Sequence, residues 1–191
     1  MTNAAYEQVA RTVRERRTVN RFDGRAVARE LMLELLQAAV WAPFHSDEEP
    51  WRFILFMEDG RKKFSDAVLL TYSREKREQV GELVARAYRE EVPVTLLVVI
   101  RDEPRPKERE EALCAASALI QNLHLLAWER GLGLVWKTND YNWNPDFRRA
   151  VGVLPGEHVV GTLHIGYYDE SKKPRPKPRT PAERVITWEL R

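Results

Sequence analysis

The sequence has little of what marks secreted, membrane-bound or disulfide-stabilised proteins. Its single cysteine, Cys114, cannot form an internal disulfide. The sequence also contains no run of eighteen apolar residues, which is about the length that a membrane-spanning helix needs. The first residues, MTNAAYEQVA, lack the basic head and the apolar stretch of a signal peptide. We therefore expect a cytoplasmic protein that has no membrane partner.

The chain also lacks a strong excess of charge of one sign. Lysine and arginine number 31 against 29 aspartate and glutamate residues, so the formal net charge is +2 over 191 residues. A protein that coats nucleic acid usually carries a larger positive excess, and we expect no nucleic-acid partner. The length suffices for one substantial core, which predicts a single domain over residues 1–191.

Metal-ligating residues are few and dispersed. The four histidines, His45, His124, His158 and His164, lie far apart and form no helical pair, so we expect no metal site. His124 and His164 are expected to be buried in the core or at an interface. Cys114 lies in the middle of an apolar helical segment and is expected to be buried there as an ordinary packing residue.

Hydrophobic periodicity predicts helices and strands that do not alternate regularly. Apolar residues recur at helical spacing in some segments, whereas short runs rich in β-branched and aromatic residues indicate strands. The predicted helices are 6–17, 29–43, 61–70, 74–91, 109–130 and a short one after Asn144, and the predicted strands are 51–57, 93–100, 131–138, 158–168 and 184–190. Because the last strand follows a long extended tail, the pattern fits an α+β sandwich with a mixed sheet.

Two of these elements are poorly suited to an isolated monomer. The helix predicted over 109–130 carries several small residues, which allow another backbone to approach closely. These are Ala112, Ala115, Ala116, Ser117 and Ala118. The strand predicted over 184–190 comes at the end of a tail that leaves the rest of the domain. Both features predict a homodimer in which the tail reaches across to the partner.

Positive charge is concentrated in the stretch RERRTVNRF, residues 14–22. Four arginines surround a single acid, Glu15, at the point where the first helix should pass into a loop. Like charges repel, so the cluster either lies in open solvent or faces an anion. Arginine offers a planar fork of donors and threonine a hydroxyl, so Arg16, Arg17, Thr18 and a cation from the tail would suit a phosphate.

Four blocks, in this order, resemble the FMN-dependent nitroreductase family. They are RRTVNRF at 16–22, LLQAAVWAPFHSDEEPWRFIL at 35–55, ERGLGLVWKT at 129–138 and VVGTLHIGY at 159–167. The resemblance covers about residues 11–190, and the short-chain members that have a histidine in the second block are the most similar. It implies a nitroreductase-like three-layer α+β sandwich, with a mixed, mainly antiparallel sheet flanked by helices, in an intertwined homodimer.

The resemblance also implies a cofactor, an activity and a set of residues. Two FMN sites would lie at the subunit interface, NADH or NADPH would reduce the flavin, and a small acceptor such as a nitroaromatic or a quinone would reoxidise it. No side chain is expected to act as an essential acid or base, because the flavin carries the chemistry. The residues that match cofactor contacts are Arg16, Arg17 and Thr18 at the phosphate and ribityl chain, Trp41 and His45 reaching the partner's flavin, Trp136, Lys137 and Thr138 beside the ring, and Arg179 at the phosphate.

Some residues depart from the family pattern, and other functions stay open. Phe44 and Asp47 stand where many relatives have small or neutral residues, which leaves room for a flavin-binding or regulatory protein with little turnover. A specialised reductase of the same fold, acting on an enone or a halogenated aromatic, is another alternative. A nucleic-acid binder that uses the arginine cluster and KKPRPKPR, residues 172–179, is a third.

Overall fold

The computed structural model describes residues 3–190 of the chain. Within this range the chain forms six α-helices and four β-strands. The helices are α1 Ala4–Glu15, α2 Arg29–Ala39, α3 Gly60–Leu70, α4 Arg74–Arg86, α5 Pro106–Glu129 and α6 Pro145–Val151, and the strands are β1 Trp51–Met57, β2 Val94–Arg101, β3 Leu132–Lys137 and β4 Glu157–Tyr167. These bounds confirm most of the elements predicted from periodicity, including the short helix after Asn144.

Local sequence sets the ends of α6. The Asn144 side chain accepts hydrogen bonds from the backbone N–H groups of Asp146 and Phe147, and Pro145 occupies the first turn, where its missing N–H costs nothing. The helix ends at Gly152, which adopts φ +87°, a left-handed conformation that glycine tolerates best. These capping residues place Phe147 in the core beneath the sheet.

The four strands form one sheet in the order β1-β2-β4-β3, and each neighbouring pair is antiparallel. Thr18 forms a single parallel bridge with Leu134, which adds a mixed element to the otherwise antiparallel sheet. The apolar strand β2 lies between two neighbours and is buried from Val94 to Ile100, as its continuous hydrophobic run predicts. The expected mainly antiparallel sheet is therefore present.

Helices cover both faces of this sheet. On one face α2 and α5 pack against residues such as Leu96 and Leu163. On the other face α3 and α6 bring Phe64 and Phe147 against Leu97. Two separate apolar cores thus flank one sheet, which confirms the three-layer α+β architecture.

The segment that follows α1 is fixed against β3 by a close backbone approach. The Val19 N–H donates to the Leu134 carbonyl oxygen at 3.1 Å, beside the bridge from Thr18. An ideal Cβ built on Gly133 would lie 2.5 Å from the Val19 Cβ, so only glycine leaves room for this approach. The arginines at the end of α1 are therefore held in place by the edge of the sheet.

Replacing Gly133 with alanine is expected to push this segment away from β3 and to destabilise the fold. The added methyl would overlap the buried Val19 side chain, and overpacking of this kind typically costs about 1–3 kcal/mol. Chemical denaturation of the variant and the wild type would measure the loss of unfolding free energy. Gly24→Ala provides a comparison, because nothing lies within 4 Å of the added Cβ and only backbone strain remains. Equal stability of Gly133→Ala and the wild type would contradict this account.

Two expectations are corrected by the structure. Residues 184–190 do not form a strand in the single chain. A 3₁₀ turn at Ala182–Arg184 is followed by irregular backbone that pairs with no strand of residues 3–190, and Trp188 and Leu190 are 69% and 81% exposed. A strand needs a hydrogen-bonded neighbour, and the tail lies against none. Cys114 is exposed rather than buried, because it lies on the side of α5 that faces away from α2 and the sheet.

Among the helices within residues 3–190, none combines the length and the apolar character that a bilayer-spanning helix requires.

Candidate functional site

The end of α1 and the C-terminal tail enclose a cleft of about 540 Å³, which we call the basic cleft. Its walls come from two segments that are about 160 residues apart in sequence, and they bring together four predicted phosphate contacts. The lining residues are Val13, Arg14, Arg16, Arg17, Thr18, Pro174, Arg175, Pro176, Lys177 and Arg179.

Positive charge in the basic cleft is not balanced by acids. The lining contains six cationic side chains and no carboxylate. Within residues 3–190, none of Arg16, Arg17 and Arg179 has a carboxylate oxygen within 4.0 Å. Burial lowers the pKa of Arg16, and the charges of Arg17 and Arg179 lower it further. Such a concentration of charge favours the binding of an anion.

Arg16 and Arg17 are the half-buried members of the cluster, and Arg16 extends toward α5. The Nη1 of Arg16 lies 2.8 Å from Nδ1 of His124, a buried residue of α5. Its Nε is buried and has no hydrogen-bond partner in the described chain. Burial and the charge of Arg16 lower the pKa of His124 to about 4, so this histidine is neutral at pH 7.

Arg17 also caps the C-terminal end of α1. Its Nη1 donates to the carbonyl oxygens of Arg14 and Arg16, at 2.7 Å each, and a cation is favourable at this end of a helix. The Nε of Arg17, like that of Arg16, is buried without a partner in residues 3–190. Arg17 therefore both caps the helix and keeps donor capacity for a ligand. Thr18 is exposed beside it.

The segment at the end of β3 divides its side chains between the two faces of the sheet. Trp136 lies against Gly161 of β4, where a Cβ would collide with the indole, and its Nε1 donates to the Val160 carbonyl at 3.4 Å. Lys137 points to the other face and lines a polar cleft of about 400 Å³ with Tyr88 and other residues. Burial lowers the pKa of Lys137. Thr138, the next residue, is exposed.

A buried histidine lies behind Lys137. The side chains of Thr95 and His164 share a hydrogen bond of 3.0 Å, and the Nε2 of His164 has no partner in the described chain. Burial and the charge of Lys137 lower the pKa of His164 to about 3. The sequence predicts the burial of His124 and His164, but it does not predict the contact of His124 with Arg16 or the effect of the Lys137 charge on the pKa of His164. No local motif indicates contacts between residues so far apart in the chain.

Trp41 and His45 lie away from the basic cleft in the single chain. Trp41, just beyond α2, is 87% exposed, and His45 lines a separate cleft of about 330 Å³ together with Phe44, Asp47 and other acidic residues. The family resemblance assigns both residues to the flavin of the partner. Their role therefore stays a prediction that only the dimer can test.

Comparisons with known proteins agree with this fold. The model of the nitroreductase family matches residues 13–167. The protein YfhC of Bacillus subtilis (strain 168), which is named as an NAD(P)H nitroreductase, is 33% identical over 172 residues, which are 88% of each chain.

Solved structures give the same result. A nitroreductase-like family protein from Bacillus cereus is 40% identical and superposes with a TM-score of 0.90, covering 100% of this chain and 99% of the other. The FMN- and NADPH-dependent nitroreductase NfnB from Sphigopyxis sp. strain HMH is 20% identical, with a TM-score of 0.73 over 98% of this chain and 99% of NfnB, and it supports the fold. The chain therefore belongs to the nitroreductase family.

Proposed function

We propose that the chain is an FMN-dependent oxidoreductase that uses NADH or NADPH to reduce a small acceptor such as a nitroaromatic or a quinone. The basic cleft is the observation that carries this proposal, because it presents Arg16, Arg17 and Arg179 without a balancing acid. The names of two similar proteins support it. YfhC is named as an NAD(P)H nitroreductase, and NfnB as FMN- and NADPH-dependent.

The donors of the basic cleft fit a phosphate group. The Nε atoms of Arg16 and Arg17 are buried donors that lack an acceptor within the described chain, and a phosphate offers three acceptor oxygens. Arg179 adds charge from the tail, and the Thr18 hydroxyl adds a neutral donor. In this proposal these four residues hold the phosphate and the adjoining part of the ribityl chain.

The other proposed contacts shape the environment of the flavin ring. When bound, FMN would supply the electron-transfer chemistry, accepting a hydride from NAD(P)H and passing electrons to the acceptor. Lys137 would place a positive charge beside the ring, where it would favour an electron-rich reduced state. Trp136 would give the ring an apolar, rigid neighbour, because the indole is fixed against β4. No side chain of this chain is assigned a proton transfer.

We propose further that two copies form a homodimer and that the flavin sites lie between them. Several large apolar side chains of the single chain are exposed on α1, at the end of α2 and on the tail. A second copy would bury them and would bring its Trp41 and His45 to the cofactor of the first. The exposed residues are Tyr6, Val9, Val13, Trp41, Ile186, Trp188 and Leu190.

A reduction and reoxidation experiment tests the activity. The purified protein, loaded with FMN, is mixed without oxygen first with NADPH or NADH and then with a nitroaromatic or a quinone. We expect the nicotinamide to bleach the flavin absorbance band and the acceptor to restore it, and initial rates to give the parallel lines of a ping-pong mechanism. A protein that binds no flavin, or a flavin that neither nicotinamide reduces, would refute the proposed activity.

A flavin-binding protein with little turnover is the second candidate. The acidic residues Asp47, Glu48 and Glu49 beside His45 favour it, because carboxylates near a flavin would disfavour the anionic reduced ring. The same experiment separates the two candidates. Tight FMN binding together with a band that nicotinamides do not bleach would support this second function.

A further inference from the structure

His124 makes an unusual contact with Arg16, one of the two half-buried cations of the basic cleft. The residue is 8% exposed in α5, 108 positions after Arg16, and the two side chains meet at 2.8 Å between Nδ1 and Nη1. A guanidinium is always protonated and has no acceptor atom, so the arginine must donate. The imidazole therefore accepts at Nδ1 and carries its own proton at Nε2.

A neutral acceptor affects Arg16 differently from a carboxylate. A carboxylate would fix the guanidinium but would also cancel its charge, and the arginine would then attract an anion less strongly. The imidazole is neutral at pH 7, since burial and the charge of Arg16 lower its pKa to about 4. It can thus orient the guanidinium while leaving the full positive charge available.

The nearest acid on the same helix is engaged elsewhere. Glu129, five residues after His124, accepts a hydrogen bond from the Thr12 hydroxyl at 2.6 Å and another from the Gln8 amide at 3.1 Å. These bonds tie α1 to α5 and fix the backbone from which Arg16 extends. Glu129 therefore positions the helix that carries Arg16, and His124 meets the guanidinium itself.

We propose that His124 is a positioning residue that holds the Arg16 guanidinium ready for the phosphate of the cofactor without neutralising it. This inference rests on the proposed function, because it takes FMN as the ligand of the basic cleft. It assigns His124 no contact with the reacting atoms.

Two substitutions separate this role from simple packing. His124→Leu fills a similar space but removes the acceptor, whereas the amide oxygen of His124→Asn takes nearly the place of Nδ1 and can accept from Arg16. Each variant and the wild type are titrated with FMN and with riboflavin, which lacks the phosphate, and flavin fluorescence reports binding. We expect His124→Leu to weaken FMN binding about tenfold, and His124→Asn to recover most of that loss, since the bond involves a charged group. Riboflavin binding is expected to stay nearly constant.

A double-mutant cycle tests whether His124 acts through Arg16. If it does, His124→Leu should change FMN affinity little once Arg16 is alanine. Equal losses for FMN and riboflavin, failure of His124→Asn to recover affinity, or an unchanged effect in the Arg16→Ala background would each overturn the inference. If wild-type protein binds FMN tightly and His124→Leu binds it equally well, this inference fails and the proposed function stands. If the wild type binds no FMN, both fail.

Discussion

Replacing Arg16 with alanine is expected to weaken FMN binding by about one to two orders of magnitude and to leave riboflavin binding nearly unchanged. A hydrogen bond that involves a charged group contributes about 1.5–3 kcal/mol, and about 1.4 kcal/mol corresponds to a tenfold change in affinity. Arg16 is a half-buried cation of the basic cleft and has no carboxylate partner within residues 3–190. Titration by flavin fluorescence measures both ligands.

Other arginines in α1 and just after it provide the comparisons. Arg17→Ala is expected to cause a similar loss of FMN affinity, but it also removes the hydrogen bonds to the carbonyls of Arg14 and Arg16, so its stability must be measured as well. Arg14 is exposed and 3.8 Å from Glu7, yet it borders the cleft. Arg11, exposed and bonded to Gln8, does not border it and is the cleaner control. A loss in Arg11→Ala equal to that in Arg16→Ala would indicate a general charge effect instead of a phosphate contact.

Deleting residues 182–191 is expected to convert a dimer into a monomer at micromolar concentration. The segment keeps the alternating pattern of a strand, with Ile186, Trp188 and Leu190 on one side, but no part of the described chain pairs with it. Fully extended, a tail from Pro174 to Leu190 would span roughly 50 Å at about 3.3 Å per residue, which is long enough to reach across a partner of this size. Sedimentation of the full and shortened chains would show the change.

The deletion begins after Pro181, so Arg179 remains in the basic cleft. The substitution Trp188→Ser perturbs the tail less than the deletion does. Leu154→Ser is its control, because Leu154 is an exposed apolar residue far from the tail in sequence. We expect Trp188→Ser alone to weaken association. A shortened chain that still sediments as a dimer would remove the tail from the interface, and a full-length chain that is monomeric with flavin bound would refute the dimer altogether.

Periodicity predicts most of this fold because most of its elements are stabilised within one chain. The sequence pattern predicts β1 with the bounds 51–57, and the apolar run predicts β2 because this strand is buried on both faces. Residues 184–190 have an equally clear strand pattern but form no strand here, since a strand also needs an edge to pair with. Sequence can show that a segment is suited to a sheet without showing which chain supplies that sheet.

The sequence predicts some residues of the candidate site, whereas other contacts appear only in the fold. The charge cluster at residues 14–17 is visible in the sequence, and the family resemblance adds Arg179, which the fold places beside Arg16. The contact between Arg16 and His124 could not be predicted, because it depends on how α1 packs across α5 and on which histidine atom faces the arginine. The expected burial of Cys114 is wrong for a related reason: small residues on a helix do not reveal which side of the helix faces the core.

The ratio of riboflavin to FMN dissociation constants in the wild-type protein tests the central claim most directly. The two ligands differ by the phosphate, so the ratio isolates what the basic cleft contributes. We expect FMN to bind at least about tenfold more tightly, as one charged hydrogen bond would already give, and the ratio to fall as salt screens the charges. Equal dissociation constants for the two ligands at low salt would contradict the assignment of the basic cleft to the cofactor phosphate.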